Sequence, residues 1–240
     1  MKIALLGYGR MGKAIERIAE NRGHLVTLKI DETNRTNCTD TQLKEADIAI
    51  DFSAPSIAVA NYKWCFDNRV PVVSGTTGWL EQWEEVIAYC KDKDGGFFYA
   101  SNFSIGVNLF FQLNTYLAQL MSGCEEYKIY IEETHHIHKL DAPSGTAITI
   151  AQGILEHHPA YKSWKLAHEI PLPADIIPVT AKREGEVPGI HTVLYKSEVD
   201  QIEISHSAFS REGFAYGAVL AAEFMQGKKG VFGMKDMLKI

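Results

Sequence analysis

Five short apolar runs alternate with amphipathic segments in the N-terminal part of the chain. The runs are Ile3–Leu6, Leu25–Ile30, Ile48–Phe52, Val70–Val73 and Phe97–Ala100. Nearly continuous hydrophobic sequence of this length is typical of parallel strands that are buried on both faces. Apolar residues recur with helical spacing from Met11 to Ala19 and again from Leu80 to Cys90. Strands that alternate with helices in this way predict a doubly wound parallel α/β sheet with right-handed crossovers.

The pattern changes in the C-terminal part. The predicted helices are Ser104–Met121, with an apolar stripe of Ile105, Leu109, Leu113, Leu117 and Leu120, then Ser144–Leu155 and a last helix from Phe214 to about Gly227. The predicted strands are Tyr127–Glu133, Ile176–Arg183, Ile190–Lys196 and Gln201–Ser207. Because no full helix separates the last three strands, we expect a smaller α+β domain with a mixed or antiparallel sheet, covered on one face by helices. The stretch His157–Pro173 is predicted to be the most flexible, with His157 and His158 in an exposed loop.

A glycine-rich loop, Gly7-Tyr8-Gly9-Arg10-Met11-Gly12, joins the first predicted strand to the first predicted helix. Its GxGxxG spacing suits a dinucleotide: Gly7 permits the tight turn, Gly9 lets the backbone approach a pyrophosphate, and Gly12 lets the helix pack close to the strand. The N-terminus of the helix then offers free N–H groups to the phosphates. Asp31 follows the second strand, where an acid would bind a ribose hydroxyl. This context predicts a Rossmann-type domain, the alternative being a glycine turn in an unrelated α/β domain.

Asp31 also bears on the choice of cofactor, because its carboxylate would repel the 2′-phosphate of NADPH. Glu32 follows it, and the nearest arginine is Arg35. We therefore expect NADH to be preferred, with NADPH use possible if Arg35 turns onto the phosphate.

Two further loops follow predicted strands. Gly75-Thr76-Thr77-Gly78 follows the fourth strand, and Ala100-Ser101-Asn102-Phe103 follows the fifth. Ligands bind at the carboxyl ends of strands in doubly wound sheets, so both loops are candidate binding segments. Plain turn chemistry accounts for either loop equally well when it is taken alone.

Composition and charge narrow the range of functions. The 240 residues are 46% hydrophobic and 22% charged, as in ordinary globular proteins, and carry a net charge of −6. This charge gives no electrostatic reason to bind nucleic acid or an anionic membrane. No apolar run approaches the roughly 20 residues of a membrane span. The four cysteines are far apart, with no CxxC, so we expect reduced thiols in a cytoplasmic protein.

The segment from Glu132 to Thr146 holds the densest chemistry, with three of the nine histidines within four positions. A metal site is one interpretation, but HHxH lacks the helical pairing of HExxH and no cysteine is near, so no metal is predicted. Polar residues at a strand end are a second interpretation. The third is an acid–base and anion-binding site, in which an imidazole donates a proton and Lys139 adds positive charge. Ser144-Gly145-Thr146 would then hold a carboxylate with hydroxyls and the free N–H groups of a helix start.

Together these motifs resemble the 4-hydroxy-tetrahydrodipicolinate reductase family, also called dihydrodipicolinate reductases, of lysine and diaminopimelate biosynthesis. The likeness covers nearly the whole chain. The matching segments are GRMG at Gly9–Gly12, DFS at Asp51–Ser53, GTTG at Gly75–Gly78, NFSIGVN at Asn102–Asn108, HHIHKLDAPSGTA at His135–Ala147, PGIHTV at Pro188–Val193 and SREGFAYGAV at Ser210–Val219. The histidine segment is the most specific of them.

The resemblance implies a role for each segment. The implied cofactor-binding residues are Gly7, Gly9, Arg10, Met11, Gly12, Asp31, Phe52, Gly75, Thr76, Thr77, Ala100, Ser101, Asn102 and Phe103. The implied substrate-binding residues are His136, Lys139, Ser144, Gly145 and Thr146, and the implied catalytic residues are His135 and Lys139. The substrate is a cyclic dicarboxylate that loses water and accepts hydride at ring C4, and a proton from His135 or Lys139 completes the reduction.

The family architecture implies three parts of the chain. They are a dinucleotide-binding domain over 1–104, a substrate-binding and tetramerisation domain over 105–207, and a C-terminal segment over 208–240 that returns to the first domain. A homotetramer assembled through the sheets of the second domain is implied as well. Two departures weaken the case for NADPH, because Ala54 and Glu32 stand where many members carry arginine near the cofactor phosphate.

Two other functions compete with the reductase. A dinucleotide-sensing protein without turnover would keep the glycine loop, but it would need no cluster from His135 to Lys139. A different oxidoreductase on the same two-domain plan, such as an amino-acid dehydrogenase, would need another set of substrate-binding residues. The histidine segment therefore favours the reductase over both.

Overall fold

The computed structural model describes residues 1–167, 172–210 and 212–240 of the chain. It separates into two compact units, Met1–Ile105 with Glu212–Ile240, and Gly106–Arg211. The boundaries predicted from the sequence, at 104/105 and 207/208, fall one and four residues earlier. The larger offset arises because strand pairing continues to Ala208 and the last long helix begins only at Glu212.

Strands and helices follow one another closely along the described residues. The strands are β1 (Lys2–Leu6), β2 (Leu25–Ile30), β3 (Ile48–Asp51), β4 (Val72–Ser74), β5 (Gly96–Tyr99), β6 (Lys128–His135), β7 (Ser163–Leu166), β8 (Ile176–Arg183), β9 (Gly189–Lys196), β10 (Gln201–Ala208) and β11 (Gly230–Phe232). The helices are α1 (Arg10–Asn21), α2 (Asp40–Lys44), α3 (Pro55–Asp67), α4 (Trp83–Asp92), α5 (Ile105–Met121), α6 (Gly145–Leu155), α7 (Glu212–Met225) and α8 (Met234–Leu238). Short 3₁₀ turns lie at Arg35–Asn37 and Leu80–Gln82.

The first unit is a doubly wound parallel sheet, as the sequence predicts. Its six strands have the order β11-β5-β4-β3-β1-β2, and every pair is parallel. One face packs against α1 and α7, where Ile15 and Val219 are buried, and the other packs against α3 and α4, where Phe66 and Val86 are buried. Gly217 of α7 is needed for close packing, because a Cβ there would lie 1.8 Å from the carbonyl oxygen of Phe103.

The second unit contains a mixed five-stranded sheet, which confirms the predicted α+β class. Its order is β10-β9-β6-β8-β7, with β9 antiparallel to both its neighbours and β8 parallel to both of its own. Helices α5 and α6 supply Phe110, Ala118, Ile150 and Ile154 to one core with the strands. The carboxyl ends of β6 and β8 lie side by side, and the residues of the histidine segment follow β6 directly.

Helix α5 buries a different face from the predicted one. Its buried residues are Val107, Phe110, Asn114, Ala118 and Met121. Leu109, Leu113 and Leu120 of the predicted stripe are instead 47%, 50% and 58% exposed. The helix carries apolar residues on both faces, so periodicity predicts the helix but does not identify the face that meets the sheet.

The stretch predicted to be flexible contains an ordered strand, β7, which pairs with β8. His158, predicted to lie in an exposed loop, is only 2% exposed, and its ring lies 5.1 Å from that of Tyr161. Burial lowers the pKa of His158, so the ring is accommodated as a neutral core residue. His157 is half-buried. Residues 168–171 of the same stretch lie outside the described residues.

Within the described residues, no helix is both long enough and apolar enough to cross a lipid bilayer. All four cysteines are free; Cys65 and Cys90 are buried, and Cys38 and Cys124 are half-buried. Burial raises the pKa of the Cys90 thiol to about 11. A thiol of this kind stays protonated near neutral pH and acts as a small apolar side chain.

Candidate active site

In the glycine loop of the first unit, protein atoms lie close to Gly7 and Gly12, whereas the space beside Gly9 is open. Gly7 has a φ of +97°, and a Cβ there would lie 2.2 Å from the carbonyl oxygen of Phe52. A Cβ at Gly12 would lie 2.6 Å from the carbonyl oxygen of Gly7. No atom lies within 4 Å of a Cβ placed at Gly9. Helix α1 begins at the next residue, Arg10, without a side-chain cap, so its N-terminus faces a space that a phosphate could enter.

Asp31 directly follows β2 and presents an ionised carboxylate. It accepts hydrogen bonds from the hydroxyl of Thr33, at 2.6 Å, and from the Thr33 N–H, at 2.8 Å. These hydrogen bonds lower the pKa of Asp31. Arg35 is engaged with α3 instead: its Nε donates to Asn61, and its guanidinium lies 4.2 Å from the centre of the Trp64 ring.

Phe52, Gly75 and Phe103 meet at the carboxyl ends of β3, β4 and β5. The rings of Phe52 and Phe103 lie 5.6 Å apart. A Cβ at Gly75 would lie 2.3 Å from the Phe52 ring, so the backbone approaches that ring as only glycine allows. The fold thus brings three of the expected cofactor residues, from three loops, into one apolar wall.

Thr76 belongs to a buried network that the sequence did not predict. Its hydroxyl donates to Asp51 Oδ1 at 2.6 Å and accepts from the Ser53 N–H at 2.9 Å. Asn61 donates to the other carboxylate oxygen of Asp51. Burial raises the pKa of Asp51, and the hydroxyl of Thr76 is the strongest opposing influence. The Thr76 side chain therefore ties the loops after β3 and β4 together.

The remaining expected cofactor residues lie along the same loops. Arg10, Thr77 and Ser101 are exposed, Met11 and Asn102 are half-buried, and Ala100 is buried. Asn102 Oδ1 accepts a hydrogen bond from the Ser104 N–H at 2.9 Å, which shapes the loop before α5.

In the second unit, the end of β6 places an acid beside the expected proton donor. Glu133 and His135 are two residues apart on a strand, so both side chains lie on the same, buried face. His135 Nδ1 lies 2.8 Å from Glu133 Oε2. The Glu133 side chain is completely buried, and His135 is 8% exposed.

Arg183 at the end of β8 holds the loop that follows His135. Its Nη2 lies 3.1 Å from Glu133 Oε1 and donates to the carbonyl oxygen of Asp141 at 2.6 Å, while its Nε donates to the carbonyl oxygen of Lys139 at 3.3 Å. Lys139 Nζ in turn lies 2.8 Å from Asp141 Oδ1, and this contact lowers the pKa of Asp141. Lys139 is thus presented on a loop that is fixed at two carbonyl groups.

Ser144 caps α6 and is fully engaged. Its hydroxyl oxygen accepts from the Ala147 N–H and lies 3.1 Å from His191 Nε2, and its own N–H donates to Glu133 Oε1 at 3.1 Å. Gly145 is exposed and Thr146 half-buried, and neither backbone N–H has a partner among the described residues. The first turn of α6 therefore leaves two donors free for an anion.

The protonation of the cluster follows from its burial. Burial alone would raise the pKa of Glu133, but the close contact with His135 and the donors of Ser144 and Arg183 outweigh burial and lower the pKa to about 2. Burial, and next the neighbouring His135, lower the pKa of His191 to about 4. At neutral pH the cluster thus contains a carboxylate and a neutral His191, which can accept the hydroxyl proton of Ser144 at Nε2.

Ligand atoms of Glu133, His135 and His191 all lie within 4.8 Å of one another, a grouping that can hold a metal ion. The guanidinium of Arg183 already neutralises this carboxylate, however, and Ser144 is placed against His191 Nε2. A divalent cation would add a second positive charge beside this guanidinium and would displace Ser144 from His191 Nε2. A proton shared between His135 Nδ1 and Glu133 Oε2 requires neither change.

Three residues of this cluster carried no assigned role in the sequence analysis. Glu133 and His191 lie in segments that were singled out, whereas Arg183 lies in a strand with no recognised motif. Arg183 is the register partner of His135 on the neighbouring parallel strand. Only the strand order reveals this proximity, since the two residues are 48 positions apart. His136 is half-buried, and its ring lies 5.9 Å from that of exposed His138.

Comparisons with known proteins decide the family. The N-terminal model of dihydrodipicolinate reductase matches residues 1–103, and the C-terminal model matches residues 106–238. The chain belongs to the dihydrodipicolinate reductase family. The 4-hydroxy-tetrahydrodipicolinate reductase of Christiangramia forsetii is 53% identical over 238 residues, which are 99% of this chain and 98% of that protein. The reductase of the same name from Neisseria meningitidis is 33% identical over 267 aligned positions, covering 99% of this chain and 97% of the relative.

The solved structures agree on the fold. A dipicolinate-bound dihydrodipicolinate reductase from Paenisporosarcina sp. TG-14 superposes with a TM-score of 0.77 at 22% identity and covers 98% of each chain. A probable dehydrogenase from Thermotoga maritima superposes with a TM-score of 0.56 at 10% identity, covering 99% of this chain and 92% of the other. The chain is therefore an oxidoreductase of the dihydrodipicolinate reductase family, with a Rossmann-like sheet and a second mixed sheet.

Proposed function

We propose that this member of the dihydrodipicolinate reductase family reduces 4-hydroxy-tetrahydrodipicolinate to tetrahydrodipicolinate with loss of water, in lysine biosynthesis. The observation that carries the proposal is the arrangement at the end of β6. There, His135 lies against buried Glu133 and is followed along the chain by Lys139 and by the free backbone donors of Gly145 and Thr146. An acid–base group and an anion-binding helix start in one place suit a dicarboxylate that must be both held and protonated.

The two backbone donors of α6 support a specific mode of substrate binding. The N–H groups of Gly145 and Thr146 would bind one substrate carboxylate, with positive charge from Lys139 and a ring donor from His136. Ser144 contributes differently from the expectation, because its N–H and hydroxyl are already engaged with Glu133, His191 and Ala147. Its part is to fix the start of the helix.

Proton delivery is assigned to His135 or Lys139. When bound, the nicotinamide supplies the hydride that reduces ring C4 after water has left. His135 holds its Nδ1 against Glu133, which leaves Nε2 as the atom that can give a proton to the substrate. Lys139 is a cation on a fixed loop: it donates one proton to Asp141, and its other two would be available to a bound carboxylate.

The first unit supports a preference for NADH, with NADPH as a possible second cofactor. Its glycine loop and the apolar wall of Phe52, Gly75 and Phe103 would receive the dinucleotide. Asp31 is kept ionised by Thr33, so its carboxylate would accept hydrogen bonds from the ribose hydroxyls and repel a 2′-phosphate. Arg35 is held by Asn61 and Trp64, away from the role of a phosphate ligand.

We extend the proposal to assembly and location. The dinucleotide-binding part would comprise residues 1–104 and 208–240, and residues 105–207 would bind substrate and form a homotetramer through their sheet. Four free thiols are in keeping with a reducing compartment such as the cytoplasm. Light scattering gives the test of assembly, since a monomeric mass would contradict the tetramer.

The activity is tested by coupling the purified protein to the synthase that makes the unstable substrate. NADH oxidation is followed at 340 nm in the presence of freshly formed 4-hydroxy-tetrahydrodipicolinate. We expect decay of the absorbance that depends on both enzymes. Decay no faster than in a mixture without this protein would contradict the proposed function.

A further inference from the structure

The carboxylate of Glu133 contacts three different parts of the candidate active site. One carboxylate oxygen lies 2.8 Å from His135 Nδ1. The other accepts the N–H of Ser144 at 3.1 Å and lies 3.1 Å from Arg183 Nη2. These three partners come from the expected proton donor, the start of the anion-binding helix and the strand that fixes the intervening loop. A single buried carboxylate therefore joins the proton donor to the binding site.

Gly189, the first residue of β9, keeps the opposite side of the His135 ring free. Its φ is +158°, and a Cβ at this position would lie 3.1 Å from His135 Nε2. Any side chain there would push against the nitrogen that faces away from Glu133. The ring thus contacts Glu133 at Nδ1, and the absence of a side chain at Gly189 leaves room beside Nε2.

Glu133 lies closer to the ring of His135 than to the ring of His191. The rings of His135 and His191 lie 5.0 Å apart in an edge-to-face arrangement. His191 Nε2 is 3.9 Å from the nearer Glu133 oxygen, against 2.8 Å for His135 Nδ1. The carboxylate therefore makes its close contact with His135 and not with His191.

We propose that Glu133 is the positioning residue of the proton donor: its carboxylate holds His135 at Nδ1, so that a protonated ring presents Nε2 to the substrate, and the same carboxylate fixes the start of α6. This inference rests on the proposed function. In the reaction, the proton would pass from His135 Nε2 to the reduced ring of the substrate while Glu133 stays ionised. Solvent would then return the proton to His135.

The decisive variant is Glu133→Gln, with Glu132→Gln as its matched control. The amide oxygen of a glutamine can keep the contacts to Ser144 and Arg183, while its NH₂ group would meet His135 Nδ1 and favour the neutral ring. Glu132 is the neighbour on the opposite face of the same strand, where it is half-exposed and pairs with Lys182 at 3.0 Å. Its loss should leave turnover unchanged.

We expect Glu133→Gln to lower kcat by about 10²-fold, with KM changed by less than about threefold. The pH profile of kcat should also differ from that of the parent enzyme, because His135 Nδ1 then faces an amide group in place of a carboxylate. The other titratable or charged groups that act on the buried pair of His135 and His191 or on the adjoining loop are Arg183 on β8, His206 on β10, and Lys139 with Asp141. None of them is altered by the variant.

A second pair of variants covers the case in which Glu133→Gln does not fold. Gly189→Ala places a methyl group against His135 Nε2, whereas Gly123→Ala, in the exposed turn after α5 of the same unit, adds one where no atom lies within 4 Å. Gly189→Ala should reduce kcat at least tenfold more than Gly123→Ala. Parent-like kcat and pH profile in Glu133→Gln, or equal kcat in the two alanine variants, would overturn the inference. An inactive parent enzyme would instead refute the proposed function.

Discussion

Arg183 is the register partner of His135 on adjacent parallel strands, yet its side chain bonds to the backbone of Lys139 and Asp141. The strand end thus supports a loop that leaves the sheet just after the proton donor. This makes the geometry of the loop depend on a residue 44 positions away in sequence from Lys139.

Removing Arg183 should therefore loosen the substrate site and the fold together. In Arg183→Met, we expect KM for the substrate to rise about tenfold and the free energy of unfolding to fall by about 2 kcal/mol, because the buried carboxylate of Glu133 loses a charged donor. Steady-state kinetics and urea unfolding measure the two effects. Lys182→Met is the control, since its exposed pair with Glu132 should change stability by less than about 0.5 kcal/mol. Equal effects in both variants would contradict this role for Arg183.

Replacing the proton donor should affect turnover more than binding. His135→Gln is expected to lower kcat by about 10²–10⁴-fold, whereas His138→Gln should leave it unchanged. His138 belongs to the same histidine segment, but it is exposed and pairs with exposed Glu186 at 2.9 Å. Coupled turnover assays at saturating NADH give the comparison. Parent-like kcat in His135→Gln would leave Lys139 as the donor.

Gly9→Ala should separate cofactor binding from folding. A methyl group at Gly9 meets no protein atom within 4 Å, so we expect an unchanged melting temperature and a Kd for NADH raised at least tenfold. Gly7→Ala, in contrast, should destabilise the fold, because its Cβ would overlap the Phe52 carbonyl group. Fluorescence titration and thermal unfolding distinguish the two. Normal NADH affinity in Gly9→Ala would show that the pyrophosphate does not approach this position.

Asp31→Asn should shift the cofactor preference. Without the negative charge, we expect the ratio of kcat/KM for NADPH to kcat/KM for NADH to rise about tenfold or more. Glu45→Gln, a change of charge at another exposed acid of the same unit, serves as the control. A ratio that stays constant in Asp31→Asn would mean that this carboxylate does not face the 2′ position.

Stability should fall in acid through two separate windows. The pKa of His191 is about 4 in the folded chain and about 6.5 in an unfolded one, so unfolding takes up a proton between these values and stability declines as pH falls from 6.5 to 4. The pKa of Glu133 is about 2 when folded and about 4.5 when unfolded, so its contribution is lost as pH falls from 4.5 to 2. Each contribution is on the order of 1–3 kcal/mol. In urea unfolding, His191→Gln should flatten the upper window, and His138→Gln should not.

Features that depend on local residue spacing could be predicted from the sequence, whereas contacts that depend on strand pairing could not. The three glycines of the first loop could be assigned from sequence, because their roles depend on spacing within six residues. The structure has a positive φ at Gly7, open space at Gly9 and a close packing contact at Gly12. The buried face of α5 could not be predicted, because Leu113 and Ala118 lie on different faces and both are apolar. Packing against the sheet buries the face of Ala118 and leaves Leu113 exposed. The contacts of Arg183 required the pairing of β6 with β8, which no local pattern encodes.

The hydroxyl of Thr76 illustrates a further limit. Its loop was predicted to line a cofactor site, and the loop does lie at the strand ends beside Phe52 and Phe103. Its side chain, however, is turned inward by Asp51, a buried acid whose need for donors cannot be read from spacing. Residue type and position in the sequence thus predict which loops line a site, but they do not predict which way each side chain points.

The full engagement of Ser144 has a consequence for how this family can vary. Ser144 contacts Glu133 and His191, and Glu133 in turn accepts from Arg183. These three partners lie on three different strands, and each satisfies a hydrogen bond or a charge of another. A lone substitution would leave a buried group unsatisfied, so divergence at these positions should proceed by paired or concerted exchanges. A library that randomises the four positions together is therefore a better source of active variants than one that changes them singly.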